Sequence, residues 1–373
     1  MLSPIIILNQ NYILYKMEQD KYDVCIVGAG IIGMATAYFL SQSSLKICVV
    51  EQCDDVAKVT SEVNGGQINP TRVDHLHAYI KKVNLMNMLK VCLFYPVWGI
   101  HHVAYKLKLS KHPSLDAQMS ADIKKTAVDT MTYMKDMQWT GLKIGKRARL
   151  ADMVDPLKKI TPPLNNYLIG TGSSHDLAHI LKKKCPKIDF FFNHRFLSFH
   201  KKDGKVTKII TDKKMIKADK YILTMGFGLS RWFPLLPVYG LIRVYPFSHS
   251  SLFQSPNIIL GSMPSRHAYM NIVGNTLRLG GGDIISPFKP TLKAFHLPRW
   301  GNHKPTREWI GHRPVSPDGM PIIGKLPGYK NVYVNGGHGF WGWTLSLGTA
   351  KVLTNHLLHN KPIPTTFSPR RFL

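Results

Sequence analysis

Tyr22-Asp23-Val24-Cys25-Ile26-Val27 leads directly into Gly28-Ala29-Gly30-Ile31-Ile32-Gly33, and the helix-like run Met34 to Ser41 follows. The order is strand, glycine turn, helix, which is the opening unit of a dinucleotide-binding α/β domain. Gly28 lets the chain turn tightly, Gly30 lets backbone approach a pyrophosphate, and Gly33 lets the helix pack on the strand. The free amides of the helix N-terminus, with Ala29, Ile31 and Ile32 around them, then face the anion. A second apolar strand, Ile47 to Val50, ends in Glu51-Gln52. Glu51 stands about 20 residues beyond the glycines, where a carboxylate accepts hydrogen bonds from ribose hydroxyls and disfavours a 2′-phosphate. FAD and NAD both satisfy this pattern.

The 373 residues hold 49 Lys and Arg against 22 Asp and Glu, a formal charge of +27, with 44% hydrophobic residues. That is enough apolar content for a large core, and the length suggests two domains. The charge points to an anionic neighbour, which is a membrane leaflet, an acidic cofactor whose phosphates match only a few charges, or a nucleic acid, the last disfavoured by the absence of any RNA- or DNA-binding signature. A basic bias that merely keeps the protein in solution is the competing reading. Five cysteines (Cys25, Cys48, Cys53, Cys92, Cys185) show no paired spacing. They suit a reducing, cytoplasmic setting, and peripheral attachment to the inner face of a membrane is compatible with it. Residues 1–19 read as an N-terminal extension in which Met17 offers an alternative start, and no run approaches a membrane-spanning length. His175 and His179 are four apart without the Glu a metalloprotease helix needs, so no metal is expected. His75, His77, His101 and His102 read as ordinary surface or core residues.

The next stretch, Thr60-Ser61-Glu62-Val63-Asn64-Gly65-Gly66-Gln67-Ile68-Asn69-Pro70, resembles the flavin-contacting loop S-F-A-N-A-G-Q-I-S-P of bacterial D-amino acid dehydrogenases. Asn64, Gly66, Gln67, Ile68 and Pro70 match, while Glu62 and Gly65 replace the usual Phe and Ala. Toward the C-terminus, Trp309-Ile310-Gly311-His312-Arg313-Pro314-Val315-Ser316-Pro317-Asp318-Gly319-Met320-Pro321 is similar to the same family's W-x-G-x-R-P-x-S/T-P-D-G-x-P. Gly336-Gly337-His338-Gly339-Phe340-Trp341-Gly342-Trp343-Thr344 resembles its N-T-G-H-G-x-x-G-W-T, placed between a strand (Val332 to Asn335) and a helix running toward His359.

The chain is therefore identified as a member of the superfamily of FAD-dependent D-amino-acid oxidases and dehydrogenases. That resemblance implies an α/β fold: a Rossmann-like FAD-binding domain with a second, α+β substrate domain built on an antiparallel sheet. The expected FAD-binding domain is discontinuous, residues 20–72, 145–235 and 308–373, and the substrate domain takes 73–144 and 236–307. FAD is the expected cofactor, held by Gly28, Ala29, Gly30, Ile31, Ile32, Gly33, Glu51, Gln52, Asn64, Gly65, Gly66, Gln67, Gly337, Gly339, Gly342, Trp343 and Thr344. Arg313, as carboxylate anchor, and His338 are the expected catalytic residues. An internal pair between Arg313 and Asp318 is the competing reading. The implied reaction is hydride transfer from Cα of a D-amino acid to flavin N5, giving an imino acid that hydrolyses to a 2-oxo acid and ammonia. Electrons then pass to a quinone or another acceptor.

Residues 73 to 150 carry apolar and basic stretches, such as Leu85 to Trp98 with helical character, and the chain is short there relative to the family. Strands are expected at Asp189 to Asn193, Val206 to Thr211, Met215 to Lys217 and Tyr221 to Thr224, with a turn at Asp203-Gly204. Pro237 to Gly240 and Leu277 to Gly281 resemble the substrate sheet, where Leu241 replaces a usual Tyr. Two other functions remain open at this point: glycine or sarcosine oxidation, and a catalytically silent flavin protein that binds RNA or membrane.

Overall fold

The computed structural model describes residues 21–62, 64–70, 73, 91, 93–148, 169–247, 258–260, 269–295 and 303–372. The expected N-terminal extension, Met17, His75, His77, Cys92 and half of the stretch from Leu85 to Trp98 lie outside them. In chain order the first elements are β1 (Lys21–Val27), α1 (Ile31–Leu40), β2 (Ile47–Val50), β3 (Gln67–Ile68), α2 (Pro96–Lys111) and α3 (Pro113–Asp136). There follow β4 (Lys143–Ala148), β5 (Ile169–Thr171), α4 (Ser174–Lys183), β6 (Asp189–Phe191), β7 (Phe196–Lys202), β8 (Lys205–Thr211) and β9 (Met215–Leu223). The remainder is β10 (Leu236–Pro246), β11 (Ile258–Leu260), β12 (Tyr269–Val273), β13 (Thr276–Ile285), β14 (Arg307–Val315), β15 (Ile322–Lys325), β16 (Val332–Gly336) and α5 (Gly342–His359).

The main sheet runs β16-β9-β1-β2-β6 in parallel, with β15 added antiparallel at one edge. Its central strands are apolar without alternation because both faces are covered. On one side α1, α4 and α5 bury Met34, Phe39, Leu181, Leu347 and Leu353 against Ile26 and Ile222. On the other, Val27, Val50, Tyr221 and Val334 pack against Phe196, Val206 and Ile209 of a β7-β8-β9 meander. The Asp203-Gly204 turn joins β7 to β8 with both residues at positive φ, 49° and 77°. Two successive left-handed residues are what a tight hairpin demands. The two short strands expected at 215–217 and 221–224 are one strand, β9: its first two residues pair with β8 and Lys217 to Leu223 with β1. Cys25 and Cys48 are cross-strand neighbours, buried and free.

The second sheet, β12-β13-β10-β14, is antiparallel throughout, and a smaller one runs β11-β4-β5-β3. The expected boundary at 308 cuts through β14, whose whole length pairs with β10, so we place the change of sheet after Val315. Helix α3, expected in the substrate domain, packs on α5. A side chain on Gly348 would stand 2.2 Å from the Thr126 carbonyl oxygen, so glycine is what lets the two helices approach. Met119, Ile123, Ala127 and Met131 share one core with Met34 and Leu347.

The competing partner for Arg313 is also resolved, because Asp318 is taken by Arg371. Nε reaches Oδ2 at 2.5 Å and Nη2 reaches Oδ1 at 3.1 Å, while Nη1 and Nη2 also donate to the carbonyls of Phe367 and Met320. Both side chains are largely buried. Removing one partner of such a pair strands the other charge, so Arg371→Met is expected to cost about 3–5 kcal/mol, read as a lowered urea midpoint. Arg371→Lys keeps the charge, loses the fork, and is expected to fall between the two.

Candidate active site

A cavity of about 470 Å³ opens along the C-terminal ends of the parallel strands and continues onto the antiparallel sheet. At its nucleotide end, Gly28 has φ +106° and its N–H donates to Val50 O. The Thr224 hydroxyl reaches the carbonyls of Val27 (3.0 Å) and Gly28 (2.8 Å), pinning the turn from the neighbouring strand. The buried Glu51 carboxylate accepts from Ala29 N (2.7 Å) and Cys53 N (3.0 Å). Each oxygen keeps a further lone pair for a ribose hydroxyl. Helix α1 starts behind Gly30 with no side-chain cap from its own N-cap residue, and the Ile31 N–H meets Ser61 Oγ at 3.0 Å.

The loop expected to contact flavin is clamped from distant elements. Arg278 donates to Asn64 O (2.9 Å), Asn271 to Gly65 O (2.7 Å), and Trp343 Nε1 and Gly172 N to Gly66 O. The departure at Glu62 has its own partner: Arg307 of β14 holds it at 2.7 Å. The turn after β16 has Gly337 and Gly339 at positive φ, and α5 begins at Gly342.

Gly28, Gly30, Ile31, Ile32, Glu51, Gln52, Asn64, Gly65, Arg313, Gly337, His338, Gly339, Gly342 and Trp343 all line the cavity. Ala29, Gly33, Gly66, Gln67 and Thr344 do not; they sit behind it. Ala29 orients Glu51, Gly33 admits the turn against α1, and Thr344 Oγ1 accepts from Asn69 N at 3.4 Å. Gln67 lies in β3 opposite Thr171. Sequence reasoning did not single out Ser61, Thr224, Asn335, Gly240 or Phe340 as site residues, yet each lines the cavity. Asn335 is the most telling, at 1% exposure with no hydrogen-bond partner for Nδ2 or Oδ1 among the described residues. A buried amide without partners calls for a ligand that both donates and accepts. FAD offers both, and the turn, acid and helix end suit its pyrophosphate and ribose, so the residues present fit the expected cofactor.

At the far end, Arg313 Nη1 donates to Asp283 Oδ1 and to Gly282 O, both at 3.2 Å. Its guanidinium carbon lies 4.8 Å from the centre of the Phe340 ring. A Cβ at Gly240 would fall 2.3 Å from Nη2, so the absent side chain is what makes room for the fork. Leu241, which stands where the family usually has Tyr, is fully buried among Tyr245, Leu277 and Phe295. Its neighbours Gly240 and Ile242 are the ones that face the cavity.

His338 is buried, and its Nε2 lies 3.2 Å from Thr349 Oγ1, a hydroxyl that itself donates to Leu345 O. Burial pushes its pKa down to about 3, so the imidazole is neutral near pH 7. This value lies below the unfolded one of about 6.5, so the unfolded chain binds more protons in acid. The stabilisation is complete above about pH 6.5 and is lost toward pH 3, by about 1.4 kcal/mol per pH unit. His102 and His312, also lowered by burial, act in the same direction. Urea unfolding between about pH 7.5 and 5 should show this slope, and His338→Gln should reduce it. His175 and His179 face each other, Nε2 to Nε2 at 3.1 Å. Among the described residues no three His, Cys, Asp or Glu form a metal-holding group.

The D-amino acid dehydrogenase of Bradyrhizobium diazoefficiens is 24% identical over 413 aligned positions, covering 91% of this chain and 96% of its own. That of Vibrio atlanticus is 24% identical over 408, covering 89% and 95%. Both alignments exceed the 373 residues here, so these relatives carry segments that this chain lacks. Among solved structures, the L-proline dehydrogenase from P. horikoshii superposes with a TM-score of 0.62 at 13% identity, covering 95% of this chain and 98% of its own. Glycine oxidase from Bacillus cereus gives 0.57 at 17%, covering 92% and 96%. Those similarities establish the fold, and the match of residues 23–356 establishes the family: the chain belongs to the FAD dependent oxidoreductases of the DAO family.

Proposed function

We propose that the chain oxidises D-amino acids at the Cα–N bond to imino acids, which hydrolyse to 2-oxo acids and ammonia, and passes the electrons to a lipid-soluble quinone. FAD, when bound, supplies the hydride acceptor. The observation that carries the reading is Arg313, held at the opposite end of the cavity from the phosphate-binding turn. Its Nε and Nη2 make no hydrogen bond among the described residues, and Nη2 faces the space left by Gly240. A planar fork offering two donors matches a carboxylate. Phe340 shields it from water on one side. Among the described residues at that end the Asp283 carboxylate is engaged by Arg313, so positioning of the neutral amine form supplies the rate in this reading. The curated relatives named D-amino acid dehydrogenase support the choice of substrate.

Anaerobic mixing of the yellow protein with D-amino acids, L-amino acids, glycine and N-methylglycine tests the reading through visible absorbance. Bleaching by D-amino acids, slow return of colour in oxygen and fast return with a soluble quinone analogue are expected. Bleaching by glycine or L-amino acids alone, or by nothing, would sink it.

A further inference from the structure

We propose that the outward face of α2 is a docking surface for an anionic lipid bilayer. Of the eleven large apolar side chains exposed among the described residues, six fall within fifteen positions: Leu93, Phe94, Val97, Ile100, Val103 and Leu107. Helical spacing gathers Val97, Ile100, Ala104 and Leu107 into one stripe. Leu93 is 75% exposed and Ile100 68%. The helix cannot roll to hide them, because its other face is already tied down. Trp98 Nε1 donates to Val315 O at 2.9 Å, His102 Nδ1 lies 2.7 Å from Pro317 O, and Tyr105 is buried beside them.

An apolar stripe of this size on a soluble surface marks a contact site, and charge identifies the occupant. Helix α2 contains no Asp or Glu, and exposed Lys108 and Lys111 close the stripe at its C-terminal end. Long basic side chains beside exposed apolar residues suit the boundary between headgroups and acyl chains. The overall charge of +27 adds attraction to an anionic leaflet. A second copy would instead bring the same lysines face to face. Among the described residues no helix is long and apolar enough to cross a membrane, so α2 would lie on the surface.

The opposite, buried face of α2 packs next to the candidate active site. Trp98 packs with Leu236, Val238 and Val315, with Phe340 against the same cluster, and Val238 stands opposite Arg313 in the β10–β14 register. Docking through α2 therefore brings the Arg313 end toward the lipid, where a lipid-soluble electron acceptor resides. Only that last use rests on the proposed function.

Flotation of the full, flavin-loaded chain with phosphatidylcholine vesicles, with or without phosphatidylglycerol, tests the proposal. Binding to anionic vesicles is expected to be about tenfold stronger and to weaken with salt. The combined variant Leu93→Ser, Val97→Ser, Ile100→Ser and Leu107→Ser should keep its flavin absorbance and melting temperature yet fail to float. Trp fluorescence of Val97→Trp should be quenched by brominated lipid. The proposal is overturned if the unaltered chain floats with neither vesicle, or if the four-serine variant floats equally well. A dimer that this variant dissolves, without flotation of the parent, would assign the face to a second copy. Because flotation needs no substrate, inertness toward D-amino acids would leave the docking result standing.

Discussion

Gly33→Val is expected to give a folded but colourless protein. A Cβ at position 33 would lie 1.9 Å from the Gly28 carbonyl oxygen and 2.8 Å from Thr224 Oγ1. Neither neighbour is free to retreat: Gly28 N is bonded to Val50 O, and its carbonyl accepts from Thr224. Helix α1 must therefore shift, and its N-terminal amides leave the position from which they would face the phosphates of FAD. Overpacking costs about 1–3 kcal/mol, and each charge-assisted hydrogen bond lost from the anion costs about 1.5–3 more. FAD affinity should fall by a hundredfold or more, since about 1.4 kcal/mol corresponds to tenfold. The ratio of flavin to protein absorbance after purification reads this directly, and titration with added FAD gives the affinity. Gly328→Asn is the control: Gly328 has φ +79°, which Asn tolerates, and a side chain there meets nothing within 4 Å. If the valine variant kept its full complement of flavin, α1 would not be the phosphate-binding helix.

The Gly28 contact behind that expectation was legible in the spacing of the glycine turn, whereas the Thr224 contact, from a strand 196 residues further on, was not. The Arg313 end was legible only in part. The motif around Arg313 named the residue, but its partner did not follow, since Asp283 and Arg313 lie on the two strands that flank β10 and meet only across the gap at Gly240. A register shift between Tyr239 and Leu241 turns Gly240 toward the cavity and sends Leu241 inward. A bulge of this kind leaves little trace in a linear pattern. The clamps on the flavin loop were hidden for a related reason, because Asn271 and Arg278 arrive from more than 200 residues away. Strand β7 escaped notice because only Phe196 among its seven residues is buried, leaving no alternation to read. The boundary expected at 308 falls inside β14 because one continuous motif runs from the antiparallel sheet into the loop that follows Val315.

Arg313→Met should leave the cofactor bound and raise the KM for the best D-amino acid by about a hundredfold to a thousandfold. Two effects combine in that figure. The substrate carboxylate loses a charge-assisted fork, and Asp283 is left as a partly buried carboxylate with no counter-charge, repelling the incoming anion. They are separable. Asp283→Asn alone removes the competing charge while the Gly282 carbonyl still holds Nη1, so its KM should change by less than about fivefold. If repulsion contributes, adding Asp283→Asn to Arg313→Met should recover part of the loss. Arg313→Lys restores charge without planarity and is expected to recover less than about a tenth of the lost efficiency, because an ammonium cannot span both carboxylate oxygens. Steady-state kinetics on the four proteins, each checked for flavin content, decides the matter: an Arg313→Met enzyme with unchanged KM would mean that the carboxylate is bound elsewhere and that Arg313 serves only its pair with Asp283.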